Sequence, residues 1–273
     1  MTGIDVLVPT CDRPAELAVT LSGLAAQDFA DFRVIVSDQS TREPGYETPA
    51  AKAMVHVLER SGHPVRPTRN LPRRGLAHQR WHLLEHSSAR YVLFLDDDVW
   101  LEPGTLTRMH AAITELRCGF VGNAVQGLSY LDDYRPDELA PYEEWHGRPE
   151  PEDITPDSRN WQRWTLHNAA NPAHLSDSVR DRRRWTAYKV AWVGGCVLYD
   201  RELLRSVGGF DFWRDLPEEH CGEDVLAQLR VMASYGGAGI LPTGAVHLES
   251  PTTVTERKIQ AYEAVSWLCP SSG

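Results

Sequence analysis

Apolar and polar positions follow two different periods along this 273-residue chain, and the switches between them outline its elements. IDVLVPT, residues 4–10, is a short apolar run that reads as a buried strand. After the turn CDRP, Leu17, Leu21, Leu24 and Ala25 share one helical face as far as Phe29. RVIVSD, 33–38, is a second strand. A strand, helix and strand over so short a length require parallel pairing with a right-handed crossover, which predicts a doubly wound sheet whose strand ends face a ligand. The polar loop 40–49 leads into a helix. VRPTRN follows as an edge strand, because Pro67 cannot donate within a central one, and 75–88 is helical. YVLFLD, 91–96, is more apolar than any earlier run, short and bounded by charge, which predicts a central parallel strand. LTRMHAAITEL is then a helix and FVGNAV a strand.

Residues 130–185 break both periods. Pro136, Pro141, Pro149, Pro151, Pro156 and Pro172 interrupt a polar stretch that carries Trp145, Trp161, Trp164 and Trp185. A flexible linker would lack the tryptophans, so this is an irregular insertion lying over the sheet. With Arg182 to Arg184 ahead of Trp185, it suits an acceptor surface, a membrane-facing edge or a lid with its own small core. Regular structure resumes with VAWVGGCVLYD, the helix RELLRSV, the loop GGFDFWRDLPEEHCG, a helix from about Glu223 to Ser234, a strand near AGILP, the segment VHLES and a closing helix. No internal repeat is visible.

Composition narrows the function. A formal charge of −10, from 28 Lys plus Arg against 38 Asp plus Glu, excludes a nucleic-acid backbone as the main partner. An anionic ligand must be met locally, by a metal or a few arginines. Cys11, Cys118, Cys196, Cys221 and Cys269 are odd in number, widely spaced and without a CxxC pair, which fits neither a disulfide framework nor a zinc site and predicts a reduced, cytoplasmic setting. The sequence shows no signal-peptide pattern and no run of about 18 apolar residues, so a soluble or peripheral chain is expected.

The candidate chemistry lies in three clusters. Asp96, Asp97 and Asp98 end the strand YVLFL. In an extended chain Asp96 and Asp98 point to one side and Asp97 to the other, so two carboxylates converge. Oxygen ligands of this kind select Mg²⁺ or Mn²⁺, held by one or two carboxylates together with substrate phosphates; the alternatives are a solvated acidic turn or a helix cap. Glu223 and Asp224 open a helix, where acids complement the dipole, yet a carboxylate beside a glycine turn at a ligand-facing edge is also placed to act as a general base. His247 in AVHLES is the third; alone it reads as a satisfied structural histidine.

The order VPTCDRP, SDQS, RRGLAHQR, FLDDDV, WVGGCVLYDRELLRSVGGFD, GEDVLAQLR and VHLES resembles the family 2 glycosyltransferases of GT-A fold, from Ile4 to about Ser250 with 130–185 left uncovered. The resemblance implies one GT-A domain over 1–273: a Rossmann-like, doubly wound, mostly parallel sheet flanked by helices, with a nucleotide-sugar-binding half (1–129), the acceptor-side insertion (130–185) and an acceptor and catalytic half (186–273). It implies that Pro9, Thr10, Asp12 and Arg13 lie near the nucleotide of a sugar donor and that Asp38 bonds the base, although SDQS sets Gln39 where the family more often has a second acid or Asn. Arg74 and Gly75, with Arg73, are implied near the diphosphate, Arg80 being only a loose match to the family's Ala-Arg-Asn, and Gly194 and Gly195 near the donor sugar, where Trp192 either stacks on that sugar or serves the core. Asp96 and Asp98, with Asp97 beside them, match the pair that binds ribose and a divalent metal, Mn²⁺ or Mg²⁺; His247 completes the metal shell. Asp224 matches the base that deprotonates the acceptor hydroxyl, and Glu223 helps bind that acceptor.

The function implied is inverting hexosyl transfer from a nucleotide-diphosphate sugar, a UDP-sugar in preference, to a sugar, lipid-linked or small-molecule acceptor. No transmembrane segment, nucleic-acid partner or catalytic cysteine is expected, and the setting is cytoplasmic with contact at the inner membrane face allowed. Two rival readings are a sugar nucleotidyltransferase, which needs a glycine-rich first loop that VPTCDRP lacks, and a non-catalytic sugar-nucleotide-binding protein.

Overall fold

The structure, a computed structural model, describes residues 3–179, 184–252 and 257–265. Its first half winds as the periodicity predicts: β1 (Ile4–Thr10), α1 (Pro14–Ala25), β2 (Phe32–Asp38), α2 (Pro49–Arg60), β3 (Val65–Arg69), α3 (Gly75–Glu85) and β4 (Tyr91–Leu95). β1 pairs in parallel with β2 and β4, and β2 with β3, which forms the sheet edge that Pro67 demands. Every residue of β1 is buried, because the strand has helices on both faces. Its side chains divide by the pleat: Ile4, Val6 and Val8 join one core with Leu17, Leu21 and Leu24 of α1, while Leu7 joins the other with Leu83 and Leu84 of α3.

After β4 the chain adds β5 (Val99–Leu101), α4 (Thr105–Leu116), β6 (Phe120–Gly122) and β7 (Gln126–Gly127), then α5 (Pro136–Leu139) and α6 (Asn171–Asp177) within the insertion. It continues with β8 (Thr186–Tyr188), β9 (Cys196–Asp200), α7 (Arg201–Ser206), α8 (Glu223–Tyr235), β10 (Gly237–Leu241), β11 (Ala245–His247) and α9 (Ala261–Ala264). The main sheet has eight strands in the order β3-β2-β1-β4-β9-β6-β10-β8. β9 runs antiparallel between β4 and β6, so β4 is central as expected but parallel on its β1 side alone. The sheet stays mostly parallel, with β9 and β8 reversed.

A second sheet, β5-β11-β7, was not legible in the pattern. β11 lies antiparallel to β5, with His247 opposite Val99, and parallel to β7. The Leu248 N–H donates to the Asp98 carbonyl at 2.9 Å, so the ladder reaches the acidic turn.

The insertion has little regular structure, and its apolar side chains feed the cores of the main sheet. Ile154, Leu166 and Leu175 belong to the core under α3 and α8, with Trp161 against it, while Trp145 and Trp185 pack on the opposite core. Arg182, Arg183 and Cys269 lie outside the described residues, and the described part of the closing helix is the single turn α9.

Candidate active site

The ends of β1, β2 and β4 open into a cavity of about 490 Å³. The starts of α3 and α8 and the segment after β11 form its other walls. Its floor is the acidic turn. The Asp96 N–H continues the sheet by donating to the Gly195 carbonyl at 2.9 Å, and then the chain turns, with the Val99 N–H returning to the Asp96 carbonyl at 3.3 Å. The pleat therefore stops at Leu95, and the strict alternation expected of an extended chain does not hold. Asp96 accepts from Arg80 Nη2 at 2.9 Å; Asp97 accepts from the Thr10 hydroxyl at 2.6 Å; Arg13 Nη1 spans Asp97, at 3.3 Å, and Asp98, at 2.5 Å. Neighbouring acids thus share one guanidinium, and Asp96 takes another.

Charge in this turn is incompletely offset. Burial pushes the Asp97 carboxyl up to about 7, with Asp98 and Asp96 adding to the rise against the Thr10 and Arg13 bonds. Asp98 is also raised, by burial and then by the Asp96 charge. His247 Nε2 stands 3.5 Å from Asp98 Oδ2, while its Nδ1 accepts the Glu249 N–H at 2.9 Å. A nitrogen that accepts carries no proton, so the ring presents Nε2–H to Asp98.

Opposite the turn, α8 begins at Gly222, whose φ of 73° is left-handed, and sets Glu223 and Asp224 at the helix N-terminus. Glu223 is 3% exposed and accepts from Arg80 Nε at 2.9 Å. Asp224 keeps part of its surface open and lines the cavity, accepting its own helix's Val225 N–H at 2.9 Å. Burial, and next the Glu223 charge, push Asp224 up to about 7 despite the nearby Arg80. Arg80, itself 4% exposed, is the hinge pin of this arrangement: it joins the turn after β4 to the start of α8. Burial opposes its charge, but Asp96, Glu223 and Asp224 together raise its proton affinity. The sequence reading left Arg80 out of the site. A signal existed, since it shares a helical face with the buried Ala77 and Leu84, where a charge needs a buried partner.

Other expected residues divide. Pro9, Thr10, Arg13, Gly75, Asp96, Asp97, Asp98, Glu223, Asp224 and His247 all line the cavity. Asp12, Asp38, Arg74, Gly194 and Gly195 do not. Asp12 is exposed, and Asp38 is wholly buried, its two oxygens taken by the Ser40 and Gly45 N–H groups, each at 2.6 Å. Arg74 sits over the Trp213 ring at 5.8 Å, leaving Arg73 to reach the cavity. The start of α3 is closed by His220, whose Nε2 accepts the Ala77 N–H at 3.1 Å and whose Nδ1 donates to the Pro217 carbonyl at 2.7 Å. Gly75 has no room for a side chain, since a Cβ would stand 2.4 Å from the Glu218 carbonyl oxygen. A Cβ on Gly194 would lie 4.0 Å from Asp224, so that glycine backs the candidate base, and Trp192 packs into the core. Cys196 is buried, and burial pushes the cavity thiol of Cys11 up to about 11, so neither is a ready nucleophile.

The fold is the GT-A type, the class of glycosyltransferase in which a doubly wound sheet carries its ligand site at the strand ends. The chain belongs to glycosyl transferase family 2, whose sequence model matches residues 5–207. That membership displaces the nucleotidyltransferase reading. A curated relative, the GalNAc(5)-diNAcBac-PP-undecaprenol beta-1,3-glucosyltransferase of Campylobacter jejuni, is 27% identical over 126 residues, 46% of this chain and 39% of the relative. Among solved structures, residues 1–349 of S. aureus TarS in complex with UDP-GlcNAc give a TM-score of 0.56 at 19% identity, covering 93% of this chain and 60% of that one. A mannosyltransferase from Pyrobaculum calidifontis, PcManGT, in complex with GDP-Man and Mn²⁺, gives 0.55 at 17% identity, covering 93% and 59%. The present chain spans about four-tenths of the curated relative and six-tenths of these structures, whose likeness concerns the fold.

Proposed function

We propose that the chain moves a hexosyl group from a nucleotide-diphosphate sugar, a UDP-sugar in preference, to an acceptor hydroxyl with inversion at the anomeric carbon. The observation that carries this reading is the facing pair of acid sites in one cavity: Asp96 and Asp98 at the end of β4, and Asp224 at the start of α8, with Arg80 between them. The complexes with UDP-GlcNAc and with GDP-Man and Mn²⁺ formed by chains of the same fold support a nucleotide-sugar donor.

The donor set fits a divalent cation. Asp96 and Asp98 supply hard carboxylate oxygens from one turn of the cavity floor, and burial and the Asp96 charge disfavour an ionised Asp98 without a further cation beside it. That suits Mn²⁺ or Mg²⁺ completed by phosphate oxygens. Asp98 and Asp96 would hold the ion, and His247 would join them after exchanging its Glu249 N–H bond, since Nε2 must lose its proton to ligate. When bound, the ion supplies Lewis acidity toward the leaving diphosphate. Arg13, already on Asp97 and Asp98, is placed to take up a phosphate as the carboxylates turn to the ion. Asp224 accepts the acceptor hydroxyl's proton; its raised affinity suits a base working near neutrality. Attack from its side, opposite the leaving group, gives inversion without a covalent intermediate.

The curated relative is named for a lipid-linked glycan, which supports an acceptor presented at a membrane surface and peripheral contact of the enzyme there. No helix among the described residues is long and apolar enough to cross a membrane. A thermal-shift or calorimetric screen of UDP-, GDP- and dTDP-sugars, with and without Mn²⁺, tests the donor. UDP-sugars should stabilise the protein with Mn²⁺ present; silence toward all of them would refute the proposal.

A further inference from the structure

A second cavity, of about 680 Å³, lies between α4 and the segment that leads into β8, and it shares no lining residue with the catalytic cavity. Its volume is in the range that takes a small-molecule ligand. Its walls carry Arg108, Arg148 and Arg184 against the single acid Glu115, an inversion of local charge in a chain with a net −10. Arg148 and Arg184 are exposed, and neither has a carboxylate partner among the described residues. Arg108 is half-buried, reaches the Thr105 hydroxyl at 3.2 Å, and leaves its Nε buried without a hydrogen-bond partner among the described residues. Burial lowers its proton affinity more than Glu102 and Asp28 restore it, so an anion nearby would relieve it.

Trp145 and Trp185 supply the other half of the lining. Both are partly buried and anchored on the core, so they are held in place before any ligand arrives. Lys189 sits 4.9 Å from the Trp145 ring centre. The Trp185 ring lines the cavity with part of its surface exposed. Arginines match carboxylate or phosphate geometry, while an indole beside them matches the C–H face of a pyranose.

We propose that this cavity is a carbohydrate site separate from the catalytic one, taking a saccharide unit that bears a carboxylate or phosphate. It needs no nucleotide, metal or turnover, so its test stands apart from that of the donor reading. Saturation-transfer NMR on the full chain should compare glucose 6-phosphate, glucuronate, glucose and inorganic phosphate, against the parent and the double variant Arg148→Glu/Arg184→Glu. Both substituted positions are exposed, and an unchanged thermal midpoint verifies the fold. Glucose 6-phosphate or glucuronate should bind the parent at least tenfold more tightly than glucose or phosphate, and the double variant should lose that margin; which of the two binds identifies the anionic group. Equal binding of glucose would overturn the charge requirement, and equal binding of phosphate would reduce the cavity to a plain anion site. Binding retained by the variant would place the ligand elsewhere, and no binding of either acidic sugar would end the proposal.

Discussion

Arg80 makes two demands at once, on Asp96 and on Glu223, and its substitutions separate charge from geometry. Arg80→Met leaves the buried Glu223 and the partly exposed Asp96 without their guanidinium and should cost about 3–5 kcal/mol in stability, read by urea unfolding. Arg80→Lys keeps the charge but cannot fork to both acids, so it should recover most of the stability and little of the turnover. Asp224→Asn should lower kcat by about 10²–10⁴ while donor binding, followed by calorimetry, stays within a fewfold. In the parent, kcat/KM should rise with pH through about 7, as Asp224 loses the proton that burial retains. A flat profile there would remove it as the base. Asp97 gives a stability counterpart. Its folded affinity is raised, so its contribution is present at low pH and lost as pH climbs through about 7. Asp97→Asn escapes that loss, and its thermal midpoint relative to the parent should be higher at pH 8 than at pH 5. The acids of this site were legible because three in a row after an apolar strand are conspicuous. Arg80 was not, because a lone arginine in a polar-looking helix reveals its importance only when its carboxylates, 16 and 143 residues away, come to meet it.

At the scale of elements, strands of five to seven residues were readable, and β1, β2 and β4 are where the pattern puts them. β5, β7 and β8 were missed because two or three residues are too few to express a period, and the ladder partners that make them strands lie far off in sequence. The reversed run of β9 was hidden for a related reason, since a buried strand has the same composition in either direction. The start of α8 depends on an element-scale detail. A Cβ on Gly222 would meet Gln260 and Tyr262 side chains at 2.9 Å in a left-handed conformation, whereas one on Gly62, also left-handed, meets nothing within 4 Å. Both alanine variants should pay about 1–2 kcal/mol for the backbone. Gly222→Ala should pay more, and it alone should depress turnover, because it displaces the end of the helix that carries Glu223 and Asp224.

For the whole molecule, the doubly wound first half announced itself and the second half did not. Residues 130–185 were read correctly as irregular and tied down, but no periodicity could reveal that their tryptophans and leucines serve both cores of the sheet. Net charge argued against a nucleic-acid backbone as main partner without pointing to the arginine-lined cavity beside α4, since a global sum says nothing of a local reversal. The small β5-β11-β7 sheet has a mechanical consequence. Asp98 and His247 are 149 positions apart, yet one rung of backbone bonding separates their strands, with Leu248 bonded to Asp98 and His247 opposite Val99. The two behave as teeth on one comb. Residues 247–248 cannot leave the cavity wall without straining 98–101, so under the proposed function release of a nucleotide and loosening of the ion site would be one movement. Hydrogen exchange on the free chain should show the Leu248 and Glu102 amides, bonded to the Asp98 and Gly244 carbonyls, losing protection together.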